Sequence, residues 1–287
     1  MTVFDFSKVL ITGADGMVGN YVDFGFKTNR SILDVTDFKK VISVFNKYKP
    51  KAIIHLAAET DVDKCERDPA AAYSVNSMGA YNVAVAAKAV SAKVVYISTA
   101  GVFDGVKETP YKENDVPNPV NHYGKSKLLG ELAIRGVLDN YLILRVCWMF
   151  GGGPAIDKKF VAKIINQIKN PEIKEIKALS DQFGSPTFGK DLVAAIKQLL
   201  IEGKKGVFHT ANTGSASRYD FAKNIVRLIR PEVEVSAVAS PFFKSDTMRP
   251  RNEVIVSELN LMRTWQEALE EYLLKEWNEI PGIKDNY

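Results

Sequence analysis

The chain is poor in the groups that build metal centres and disulfide frameworks. Its 287 residues include two cysteines and three histidines. Cys65 and Cys147 lie far apart without metal-ligand spacing, and read as the reduced, buried thiols of a cytoplasmic protein. No stretch approaches the ~20 apolar residues of a membrane span. The first residues show no apolar core behind a basic start, so neither membrane insertion nor secretion is expected. A surplus of one charge is missing too: 38 basic residues against 34 acidic ones leave +4. No basic run is interleaved with aromatics, which argues against nucleic acid as a partner. Repeats and low-complexity segments are absent. What is there is a globular composition, 46% hydrophobic and 25% charged, long enough for one large domain or two moderate ones.

Short apolar runs alternate with amphipathic segments. Residues 8–12, 52–58, 94–99 and 141–146 have the length and composition of strands buried on both faces. Between them, Thr36-Asp37 caps a helix carrying Phe38, Val41, Ile42 and Phe45, which ends near Lys49-Pro50. Asp68-Pro69 opens a long amphipathic helix over 70–89 that contains Asn76. This alternation specifies an α/β fold with a doubly wound parallel sheet. Past Trp148 the pattern changes. Gly151-Gly152-Gly153-Pro154 reads as a boundary loop, and 181–187 as a polar loop lining a substrate. Helices are expected over 157–168, 191–201, 219–229 and 264–277, with strands at 175–179 and 206–210. The expected division is a dinucleotide-binding domain over 1–148 and a smaller α/β substrate domain over 149–287, with 187–212 returning to the first.

The first strand delivers the chain into Gly13-Ala14-Asp15-Gly16-Met17-Val18-Gly19. Glycines three apart permit a tight turn and close backbone approach, and the N–H groups of a helix opening there favour a pyrophosphate. From Val18 to Arg30 the chain must finish that helix, turn and supply a second strand, a compressed crossover. Counting places the ribose reader at Asp34; reading Asn29-Arg30 as the end of strand two places it at Arg30. An acid would favour NAD and an arginine NADP; the reading adopted is NADP on Arg30. Ala57-Ala58-Glu59-Thr60 offers small residues against which a cofactor can lie, while His55, inside an apolar run, reads as core. Tyr123 and Lys127 sit one helical turn apart on one face. An ammonium beside a phenol, which titrates near ~10, favours the phenolate and brings it towards proton transfer.

Taken together these segments resemble an extended short-chain dehydrogenase/reductase, and more closely the dTDP-4-dehydrorhamnose reductase family. The resemblance runs through Gly13–Gly19, Leu33-Asp34-Val35-Thr36-Asp37, His55 to Lys64, Ser98-Thr99, Val102-Phe103-Asp104-Gly105, Tyr123 with Lys127, Arg145-Val146-Cys147-Trp148, Asp181 to Thr187 and Arg249-Pro250-Arg251-Asn252. It implies a Rossmann-type fold and reduction of a 4-keto nucleotide sugar, dTDP-4-dehydro-L-rhamnose, by NADPH, with NADH left open as donor. Thr99 would hydrogen-bond the substrate carbonyl, Tyr123 would protonate the alkoxide, and Lys127 would hold the ribose and tune Tyr123. Gly13, Asp15, Gly16, Met17, Val18, Gly19, Arg30, Asp34, Val35, Leu56, Ala57, Ala58 and Thr60 would line the cofactor. Trp148, Gln182 and Arg249 would join Thr99 and Tyr123 at the substrate, with Lys158 or Lys159 near its diphosphate. Family members carry Asp-Tyr after the threonine; this chain has Ala100-Gly101. Asn20-Tyr21 stands where magnesium-using members have a glutamate, so no metal is expected. A homodimer is left open. Two other readings are kept: a non-catalytic dinucleotide-binding regulatory subunit resembling that of methionine adenosyltransferase, and another nucleotide-sugar 4-ketoreductase or epimerase, for which His122 would be the nearby acid/base.

Overall fold

A computed structural model of the chain describes residues 4–243 and 247–279. The first part runs β1 (Val9–Thr12), β2 (Phe26–Lys27), α1 (Phe38–Tyr48), β3 (Ala52–His55), α2 (Val62–Arg67), α3 (Pro69–Tyr73), α4 (Gly79–Ala89), β4 (Lys93–Thr99), α5 (His122–Val137) and β5 (Tyr141–Val146). The remainder runs β6 (Met149–Phe150), α6 (Gly153–Ile156), α7 (Phe160–Ile168), β7 (Glu175–Leu179), β8 (Phe183–Gly184), β9 (Thr187–Phe188), α8 (Gly189–Ile201) and β10 (Gly206–His209). It closes with β11 (Ala216–Ser217), α9 (Arg218–Ile229), β12 (Glu234–Val238), β13 (Asn252–Glu253) and α10 (Trp265–Glu276).

Six strands make one sheet in the order β10-β5-β4-β3-β1-β2, every pair parallel. Side chains alternate across a strand, so each buried run serves two cores. Leu10, Ile53, Val94, Tyr96 and Ile143 pack with Phe45 of α1, Ala80 and Ala87 of α4 and Ile134 of α5. Their neighbours Val9, Ile11, Ile54, Val95, Leu142 and Leu144 pack beneath Leu192, Ile196 and Leu199 of α8. The chain leaves β1 outward to β2 and returns to β3 on its other side. The carboxyl ends of β1 and β3 therefore flank the crevice where such sheets place ligands.

The first crossover departs from expectation. No α-helix follows the glycine turn: between β1 and β2 there is a single 3₁₀ turn at Gly19–Tyr21. Phe4, Phe6, Val18, Val22 and Phe24 cover the sheet face there, with Phe6 edge-on to Phe24 at 4.8 Å. Strand two comes early and is short, so Asn29-Arg30 lies beyond its end. The long helix after Asp68 is interrupted by a π turn over Ser74–Met78 between α3 and α4. Of residues 181–187, expected as a polar loop lining a substrate rather than as core, 184–187 are buried in and between β8 and β9. β8 is the middle strand of a three-stranded sheet with β11 and β13. The cluster behind it joins Phe150, Phe188, Phe221, Trp265 and Tyr272, where truncating one aromatic ring costs ~3–5 kcal/mol. No helix among the described residues is long and apolar enough to cross a membrane.

Candidate active site

Helix α5 is started by Asn121, whose Oδ1 accepts from the Gly124 amide at 2.9 Å while its Nδ2 donates to the Met248 carbonyl at 3.0 Å. Two glycines let the helix press on β4. A Cβ at Gly124 would stand 2.1 Å from the Gly101 carbonyl oxygen, and one at Gly130 2.2 Å from the Tyr96 hydroxyl. This approach sets Tyr123, at the start of α5, beside Thr99 at the end of β4, whose side chain acts on the phenol. The Thr99 Oγ1 also accepts from the Gly101 amide at 3.0 Å.

Burial drives the Tyr123 phenol above its ordinary value, and the neighbouring Thr99 hydroxyl only partly opposes it. The ammonium expected to favour the phenolate is turned elsewhere: Lys127 Nζ donates to the Ile97 carbonyl at 2.6 Å and lies 4.0 Å from the centre of the Tyr96 ring. Burial pulls Lys127 itself down to about 7, against the opposing pull of Glu131. Tyr123 is thus a protonated acid, the form a reduction requires of its proton donor.

In the support beneath this pair, the role of Glu131 was not read from the sequence, whereas Asn76 was a candidate to hold backbone near the cofactor or to be solvated. Glu131, one turn beyond Lys127, is fully buried and accepts Arg145 Nε at 2.9 Å, Arg145 Nη2 at 2.7 Å and Ser98 Oγ at 2.5 Å. The spacing Tyr123, Lys127, Glu131 was its one signal: a stripe of polar residues on a helix packed against a sheet. Asn76, in the π turn, bonds both backbone groups of Glu59, accepting at 2.9 Å and donating at 3.0 Å, and donates to Ser126 Oγ at 3.0 Å. It thereby ties the loop after β3 to the tyrosine helix. His55 is core, as expected: Thr12 Oγ1 meets its Nδ1 at 2.7 Å, and burial lowers it to about 3.

At the sheet crevice, Gly13 has φ +64°, and a Cβ there would stand 2.7 Å from the Ala57 backbone. Gly19 packs on Ala14 at 2.3 Å by the same measure. Asp15 and Gly16 are exposed; Met17 and Val18 are half-buried. Leu56, Ala57 and Ala58 line the opposite wall half-buried, and exposed Thr60 receives Lys159 Nζ at 3.1 Å on its Oγ1. Arg30 and Asp34, the rival ribose readers, pair with one another at 3.1 Å. Asp34 also accepts from the Thr36 amide and hydroxyl, and Val35 is buried behind them. These residues fit a dinucleotide: a turn opened by Gly13, Gly16 and Gly19 faces Leu56, Ala57 and Ala58 across the crevice, and the Arg30–Asp34 pair lies beyond the end of β2. The helix whose N-terminus would have faced the pyrophosphate is absent, which leaves only the turn amides to meet one. Among the described residues no three His, Cys, Asp or Glu side chains group to hold a metal.

Trp148 has φ +39°, an uncommon backbone state for so bulky a residue, and marks a strained position. Its Nε1 donates to Glu253 Oε2 at 3.0 Å, and the Arg218 guanidinium lies 3.5 Å from its ring centre. Neither Glu253 nor Arg218 was anticipated. Arg249 Nη2 holds Asp63 at 2.9 Å on both oxygens, bridging the two parts of the chain. Gln182 turns its amide to Ser240 Oγ at 3.4 Å. Lys158 is exposed. His122 begins α5 and meets the Tyr73 hydroxyl at 3.0 Å.

A parallel doubly wound sheet with Thr99 at the carboxyl end of β4, and with Tyr123 and Lys127 on the helix packed beside it, is that of a Rossmann-type oxidoreductase of the extended short-chain class. Residues 7–277 match the RmlD substrate binding domain family. The chain is 34% identical to the spore coat polysaccharide biosynthesis protein SpsK of Bacillus subtilis over 93% of its length and 97% of that protein's. Among solved structures it is similar to a dTDP-4-dehydrorhamnose reductase from Clostridium acetobutylicum, with a TM-score of 0.88, 36% identity, and 92% and 98% of the two chains covered. The enzyme of that name from Bacillus anthracis, solved in complex with NADP, gives 0.87 and 34%, covering 93% and 98%. This chain belongs to the dTDP-4-dehydrorhamnose reductase family.

Proposed function

We propose that this protein reduces the 4-keto group of a nucleoside-diphosphate 6-deoxysugar with NADPH, converting dTDP-4-dehydro-L-rhamnose to dTDP-L-rhamnose. The observation that carries the reading is the placement of two hydroxyl side chains, Thr99 at the carboxyl end of β4 and Tyr123 on α5 beside it. Bound there, the nicotinamide supplies the hydride. Thr99 orients the carbonyl oxygen, and Tyr123, protonated, delivers a proton as charge builds on that oxygen. Lys127, which bonds the Ile97 carbonyl here, would be the residue that holds the ribose of a bound dinucleotide. Arg30 reads the ribose phosphate, its partner Asp34 holding it in place. Gln182, Trp148 and Arg249 surround the sugar nucleotide. Two free buried thiols, Cys65 and Cys147, suit a cytoplasmic setting.

Purified protein given NADPH and dTDP-4-keto-L-rhamnose should consume NADPH and yield dTDP-L-rhamnose. The second reading, a binder without turnover, draws support from Ala100-Gly101 and the missing crossover helix. Dinucleotide binding with no turnover on any 4-keto nucleotide sugar would favour it.

A further inference from the structure

The substrate side of the site holds a carboxylate that the proposed reduction does not use. Glu253 lies on β13, held in register beside Gly184 of β8, and its Oε2 is anchored by the Trp148 indole N–H at 3.0 Å. Its other oxygen, Oε1, has no hydrogen-bond partner among the described residues, although Arg218 and Arg249 contribute favourable charge around it. The position is set by what Gly101 lacks. The point where a Cβ of Gly101 would lie is 3.3 Å from Thr99 Oγ1 and 3.6 Å from Glu253 Oε1. A small space, left open by the glycine, is thus bounded by the hydroxyl that orients the carbonyl and by a carboxylate oxygen with a lone pair to offer. Burial raises the Glu253 carboxyl, while the Trp148 bond and the two arginines oppose that rise.

We propose that Glu253 is a specificity-determining residue: its Oε1 accepts a hydrogen bond from a sugar hydroxyl on the carbon next to the reacting carbonyl, seated in the space beside Gly101. The inference rests on the reductase reading for its substrate class. Geometry supplies the rest. Thr99 fixes the carbonyl oxygen, so the ring substituent adjacent to it is the group that reaches the space. A carboxylate accepts there and cannot donate, which selects a hydroxyl over a keto or ether oxygen. Hydrogen bonds to a charged group contribute ~1.5–3 kcal/mol, a preference of roughly ten- to a hundredfold.

The test compares two nucleoside-diphosphate 4-keto-6-deoxysugars, one with a 3-hydroxyl and one 3-deoxy, by kcat/KM with NADPH. The corresponding 4-hydroxy products are compared in parallel by calorimetric Kd. Wild type should prefer the hydroxylated member at least tenfold in both. Glu253→Gln, whose amide oxygen can still accept from Trp148, should lower that preference about tenfold or more, and Gly101→Ala should also lower it by filling the space. A structural role for Glu253 would weaken both sugars equally and leave the ratio alone. An unchanged ratio in Glu253→Gln, or failure of wild type to bind either product, overturns the proposal. Absent turnover with the binding preference present, and lost in Glu253→Gln, sinks the reductase reading and leaves Glu253 in its role.

Discussion

Replacing Lys127 by methionine should make the protein more stable and less active. The lysine is 3% exposed, and burial lowers it from 10.5 to about 7. Its folded value lies below its unfolded one, so between these limits the unfolded chain binds the extra proton. Stability must then rise with pH across that window, the same direction as for a paired carboxylate but at higher pH, because here the charged form is the one that burial penalises. Holding this amine in the fold costs about 4 kcal/mol at pH 7 and about 2 kcal/mol at pH 9. Methionine keeps most of the stem but leaves the Ile97 carbonyl without its donor, an offset of ~1 kcal/mol. Urea unfolding of both proteins without dinucleotide should therefore find Lys127→Met more stable by about 3 kcal/mol at pH 7, the gap narrowing by about 2 kcal/mol at pH 9. Subtracting the variant from wild type cancels every other titrating group that both share. A variant less stable at pH 7, with a difference indifferent to pH, would refute the reasoning.

Three further outcomes follow from the geometry. Gly13→Ala must place a Cβ at φ +64° against the Ala57 backbone, at a cost above ~1–2 kcal/mol; NADPH affinity, followed by fluorescence titration, should fall more than ~10-fold. Arg145→Met strands the Glu131 carboxylate in the interior and should cost ~3–5 kcal/mol in urea unfolding, part of which the double variant with Glu131→Gln recovers. Tyr21 donates to Glu276 and accepts from the Gly152 amide, so Tyr21→Phe should lower stability by ~1.5–3 kcal/mol, read as a drop in Tm.

What the sequence made legible was whatever its patterns repeat locally. The apolar runs became β1, β3, β4 and β5, and Tyr123 with Lys127 fell on one helical face because four residues make about one turn. The missing crossover helix was foreshadowed only by a short count of residues between Val18 and Arg30. Its replacement by Phe4, Phe6 and Phe24 depends on contacts from before β1, which no local pattern encodes. Glu131 and Arg145 meet across a helix and a strand, and Glu253 comes to Thr99 from β13, far along the chain. Such partners are chosen by packing. The Lys127 contact with Ile97 was hidden for a different reason: spacing fixes which face a side chain leaves from, not which acceptor it finds.

The account turns on Tyr123 giving its proton to the sugar oxygen while Thr99 holds that oxygen in place. Single-turnover oxidation of bound NADPH, in Tyr123→Phe against wild type with saturating 4-keto sugar, measures this step directly. A fall of roughly 10²–10⁴-fold in rate, with NADPH affinity and folding retained, is the predicted result. A rate within a few-fold of wild type would contradict it.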